Sequence, residues 1–194
     1  MTRLLTSILI FSLFLSCNYT TQNKELQASI AKEDTARLNT MVQDMVTDVK
    51  ENMEATGDPD IDFARIMMLH HQRVIEMASL VNLRTKDSAI KIRTQRLTTR
   101  MQEQDSVFVS YITSHEPDYN NDSFYIKSVN VLNAIKNQSV VVSSKPIVDQ
   151  GFINLVAIQH KIAIAIAKIY HGYSREPMID SMANAIILSG KTIQ

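Results

Sequence analysis

The chain has 194 residues, 45% hydrophobic and 21% charged, and its 20 Lys and Arg balance its 20 Asp and Glu. That composition supports a buried core and excludes a wholly disordered chain, and without a basic excess no nucleic-acid partner is expected. Four glycines and four prolines are few for the turns of a sandwich or barrel, and one cysteine excludes an internal disulfide framework and a multi-cysteine zinc site.

The N-terminus reads as an export signal. Arg3 precedes an apolar run from Leu4 to Leu15, and Ser16-Cys17 follow. The run is too short to span a bilayer as a helix. Phe14-Leu15-Ser16-Cys17 resembles the lipobox of bacterial lipoproteins, with Phe14 departing from the usual aliphatic residue. The resemblance implies a signal peptide over residues 1–16 and lipid on Cys17 that anchors the chain to a membrane. Residues 17–31 would be a flexible tether before a folded region at 32–194. Asn18 is compatible with sorting to the outer membrane and a periplasm-facing position. No later segment is expected to be apolar enough to span a bilayer.

From there the apolar period is helical. Leu38, Met41, Val42, Met45, Val46, Val49 and Met53 form one stripe of an amphipathic helix over 32–56, with Gly57 as its stop. Asp58 and Pro59 can start a second helix, to about 83, with the stripe Phe63, Met67, His70, Val74, Met77, Val81. A hinge at Thr85-Lys86-Asp87-Ser88 leads to a third helix carrying Ile90, Leu97, Met101 and Phe108, which ends before Pro117. A shorter helix over 122–136 carries Phe124, Val131, Leu132 and Ile135. Residues 138–145 read as an extended linker, and helices over 147–171 and 175–192 close the chain.

An offset of 89 residues pairs Phe63 with Phe152, Ile66 with Leu155, His71 with His160 and Ala78 with Ala167. The pattern reads as two helical hairpins, 59 to about 116 and about 147 to 193, each with an apolar face it cannot bury alone. Together they make a four-helix bundle in which His71 and His160 approach a common axis.

The densest chemical patch is Asp60 to Ala78. The run TGDPDIDFARIMMLHHQRVIEMA, preceded by Met41-x-x-x-Met45, closely resembles the DUF305 family. Asp60, Asp62, Phe63, Ala64, Met67, Met68, His70, His71, Gln72, Met77 and Ala78 match its pattern. The resemblance implies an exported, ferritin-like helical bundle associated with copper binding and copper tolerance. The second copy departs from the pattern: Gln159 precedes His160, and Val156 and Ile166 replace methionines; the glutamine usual in each hairpin's second helix is Asp105 in the first copy and Gly190 in the second.

The residues leave two readings open. Thioethers suit Cu(I) and imidazoles suit Cu(II), and His70 and His71 are the first candidate ligands. Met67, Met77, Met41 and Met45 are soft partners, with His160 a more distant one. Methionine is equally an ordinary core filler, and adjacent histidines leave a helix about 100° apart, so capping or core roles fit as well. His115, His171 and Glu76 read as structural or solvated, and Asp60 and Asp62 as first-turn caps. No Glu-x-x-His occurs, which excludes di-iron chemistry of the ferritin type, and no nucleophile triad or phosphate loop is present.

The expectation is an all-α fold: a ferritin-like four-helix bundle of two helical hairpins with flanking helices. Its function would be non-enzymatic sequestration of a copper ion by a lipid-anchored periplasmic protein. The alternative is a structural or interaction bundle without metal, binding a partner helix or a small apolar ligand.

Overall fold

The computed structural model describes residues 29–136, apart from 31, 35, 39 and 42, and residues 148–189. The signal peptide, Cys17, the tether up to residue 28, Val42, the 138–145 linker and Gly190 lie outside the described residues. Every regular element among the described residues is a helix. The described residues between 29 and 51 form α1. After it come α2 (Pro59–Arg84), α3 (Ser88–Ser114), α4 (Ser123–Lys136), α5 (Val148–Tyr170) and α6 (Pro177–Ser189).

Local chemistry sets the starts of α2 and α3. Asp58 is extended (φ −99°, ψ 112°), and its carboxylate accepts from the backbone N–H of Asp60 at 2.9 Å and Ile61 at 3.3 Å. Pro59 at the first helical position has no N–H to leave unpaired. Asp87 repeats the device for α3, accepting from Ala89 N at 2.8 Å. Asp58 is the cap of α2, and the two acids expected to share that role act elsewhere. Asp60 accepts from the Tyr170 hydroxyl and from Arg175 N at 3.2 Å. Asp62 accepts from Thr56 N and Thr56 Oγ1, each at 2.9 Å. Both carboxylates are buried, so each ties a distant backbone segment to the first turn of α2.

α1 buries Leu38, Met41, Met45, Val46 and Val49, as its stripe requires. It stops at residue 51, ahead of Gly57. Thr56 is drawn instead onto Asp62, which holds residues 53–56 out of helix. Gly57 therefore serves a different purpose from a helix stop. Its φ is +78°, and a β-carbon there would stand 3.0 Å from Tyr119 O and 3.1 Å from Asn120 Cα. Asn121 N donates to Gly57 O at 2.9 Å, so the α3–α4 loop rests on this glycine.

α2 is the central helix. It packs against α3, α4 and α5, while α5 also packs against α4 and α6. The α2–α3 and α5–α6 pairs are the two expected hairpins. Phe63 of α2 marks the centre: it stacks on Tyr170 of α5 (4.2 Å, 17°) and meets Phe108 of α3 edge-on (6.2 Å, 84°). Phe124 of α4 lies 6.3 Å from it. Four helices thus converge on one ring, whose truncation to Ala would cost about 3–5 kcal/mol.

Phe152–Tyr170 is, by length and mean hydropathy, apolar enough to cross a membrane, contrary to expectation. Here Phe152, Leu155, Ile162, Ile166 and Tyr170 are buried against the other helices, and Lys161 and Lys168 are exposed. The helix meets three others, and 39% of its apolar window is buried inside the bundle, while Ile153 stands exposed.

Candidate functional site

His70 and His71 project from the middle of α2, and both are buried, at 3% and 2% exposure. Their ring centroids are 5.6 Å apart. Each is held through Nδ1 by a different hairpin. His70 Nδ1 is 3.0 Å from Gln159 Oε1 on α5, and His71 Nδ1 is 2.6 Å from Asp105 Oδ1 on α3. With an amide oxygen and a carboxylate as acceptors, each Nδ1 carries the proton and donates. Neither Nε2 has a protein partner among the described residues. Phe108 stacks beside His71 at 6.1 Å and fixes the plane of its ring.

The His70–Gln159 contact joins two positions separated by the 89-residue offset. His160, which that offset pairs with His71, makes its own bond to the neighbouring helix: Nε2 lies 3.2 Å from Ser189 Oγ on α6. Gln159 is itself buried, and its Nε2 has no partner among the described residues. Such an orphaned donor costs about 1–3 kcal/mol.

All three histidines line one cavity of about 400 Å³ enclosed by α2, α3, α5 and α6. The rest of its wall is largely apolar, with Leu97, Met101, Phe152, Val156, Ala157 and Ile186 prominent. Arg93, Arg100 and Gln104 of α3 also line it. Burial works against charge at two of the three histidines. It pushes His70 down to about 3, reinforced by the charge of His71 and opposed by the Gln159 bond. Burial and Arg100 push His160 down as well, against its bond to Ser189. A neutral imidazole with a free lone pair, as at His70, is the protonation state of a metal ligand.

The four methionines named with the histidines lie elsewhere. Met45 and Met67 belong to the apolar cluster around Phe63, and Met41 and Met77 to a second cluster with Leu38, Val81 and Phe152. None is among the cavity residues; Met101 of α3 is the thioether that shares the cavity with the histidines. Sequence reasoning placed Met101 on a stripe but not in the site, because its place in the cavity depends on how α3 lies on α2. Among the described residues no three His, Cys, Asp or Glu are grouped so as to hold a metal ion. His115 bonds Tyr111 O at the end of α3, and His171 bonds Asp180, so both are structural. Glu76 pairs with Arg73 at 2.8 Å rather than standing free in solvent.

The geometry defines a class: an all-α bundle with a histidine-lined internal cavity between two hairpins. A family model described as a domain of unknown function, DUF305, matches residues 60–192, and the chain belongs to that family. Comparisons with curated proteins and with solved structures find no match.

Proposed function

We propose that this protein binds a copper ion without turnover, as an exported protein anchored to the outer membrane by lipid on Cys17. The observation that carries the reading is the pair of Nδ1 anchors. Metal-binding histidines characteristically donate the second ring N–H to a carboxylate or carbonyl oxygen, which fixes the tautomer and orients Nε2. His70 and His71 both have that arrangement, from acceptors on two different helices.

The donor set suits a soft ion. His70 and His71 would be the ligands, Met101 the thioether partner and His160 a further imidazole at the cavity wall. Cu(I) needs fewer donors than zinc or iron, so two imidazoles and a thioether suffice where no cluster of three harder ligands exists. The carboxylate nearest the site, Asp105, is engaged in orienting His71. When bound, copper would be held against a largely apolar wall, in a cavity open along one side. The chain's part is to keep the imidazoles neutral and in position.

Titration of the full chain with Cu(I) against a chromogenic chelator tests this. About one ion should bind, and His70→Ala with His71→Ala should abolish it. A double variant that competes as well as the parent would overturn the assignment.

A further inference from the structure

The same cavity carries a feature that copper does not use. α3 and α5 each pack against α2 and meet each other only marginally among the described residues. The cavity between them is therefore open along one side. Arg93 and Arg100, both exposed, line it from α3. Seven residues apart, they stand two turns along one helix face, about 10 Å from each other. Neither has an ion pair or hydrogen bond among the described residues, and no Asp or Glu lines the cavity. Arg73, Arg84 and Arg175 in the same bundle all have carboxylate partners.

Behind these two guanidinium groups the wall is aliphatic and aromatic: Leu97, Phe152, Val156, Ala157 and Ile186. The volume of about 400 Å³ falls in the range of small-molecule sites, which are mostly apolar with a few convergent polar groups. A guanidinium fork matches a carboxylate, and an apolar wall rewards each methylene taken from water. We propose that this cavity binds a single-tailed organic anion of medium chain length, a fatty carboxylate, with its head at Arg93 and Arg100 and its tail along that wall. The proposal does not rest on the copper reading, since it uses α3 and α5 residues that need no metal.

Isothermal titration of the full chain with octanoate, decanoate, decanol and decyltrimethylammonium tests it. Decanoate should bind about fifteenfold more tightly than octanoate, because each of its two extra methylenes contributes roughly fourfold. Decanol should bind at least about tenfold more weakly than decanoate, and the cation weakest of all. Arg93→Gln with Arg100→Gln should lose about tenfold in decanoate affinity while melting like the parent, as exposed unpaired side chains allow. That variant should still take up copper. Equal binding of decanoate and decanol, no dependence on chain length, or undiminished binding by the arginine double variant would each overturn the proposal.

Discussion

The Tyr170 hydroxyl donates to the buried carboxylate of Asp60 across 110 positions of sequence, fastening the end of α5 to the first turn of α2. Burial first, and then the Asp60 carboxylate, hold the phenol well above its ordinary range, so it stays a donor at any working pH. Tyr170→Phe keeps the ring stacked on Phe63 and removes only the donor, leaving Asp60 with Arg175 N. The expected cost is about 1–3 kcal/mol, or roughly 2–4 °C of melting temperature per kcal/mol for a domain this size, read by calorimetry.

Stability should depend on pH through His70. Its folded pKa lies near 3 and its ordinary value is 6.5, so in that interval the unfolded chain binds the proton more tightly. Stability is therefore complete above about pH 6.5 and falls as pH drops through the interval. His70→Gln, which can still donate to Gln159, should flatten the decline in a series of melts between pH 7 and pH 4. An equally steep decline in that variant would assign the acid sensitivity elsewhere.

Asp62 should give the opposite slope. Burial raises its pKa above 3.8, outweighing the two bonds from Thr56. The folded state then holds the proton more tightly, so this group's contribution falls as pH rises from 3.8 through the raised value. Asp62→Asn keeps an acceptor for Thr56 and buries no charge. Its stability relative to the parent should improve steadily above pH 4 in denaturant titrations.

Gly57→Ala forces a side chain into a left-handed conformation and onto two backbone atoms of the α3–α4 loop, neither of which can rotate away. A loss of about 1–3 kcal/mol is expected. Hydrogen exchange should show it first at Asn121, whose N–H bonds the Gly57 carbonyl.

The methionines separate packing from ligation. Met67→Ala or Met77→Ala should cost about 2–5 kcal/mol, because both side chains are wholly buried among apolar neighbours. Met67→Leu and Met77→Leu should cost under about 1.5 kcal/mol and leave Cu(I) affinity unchanged. Met101→Leu should weaken Cu(I) binding while folding normally. If Met67→Leu or Met77→Leu weakens copper binding instead, the thioether partner is in the core rather than the cavity.

Much of the fold was legible because its signals are local. The Asp58-Pro59 start, the α2 stripe and the hinge before Ser88 all depend on residues within a turn or two of one another. The site was legible only in part. His70 and His71 stood out, but their acceptors lie 89 and 34 positions away, and nothing near the histidines in sequence announces Gln159 or Asp105. The methionines show the same limit from the other side. A thioether on an apolar stripe looks identical whether its neighbours are leucines or imidazoles, and only the docking of α3 separates Met101 from Met67. Asp60 and Asp62 looked like caps because first-turn acids usually are, and long-range donors claimed them instead.

α1 is riveted along its length: Asp34 to Arg84 at 2.9 Å, Asp48 to Arg73, and the Tyr125 hydroxyl onto Val49 O and Met53 O at 2.6 and 2.7 Å. A pull applied at the leading end would meet these fastenings before it reached the central helix. The bundle is thereby shielded from tension, and the histidine chamber should keep its shape while the chain is tugged.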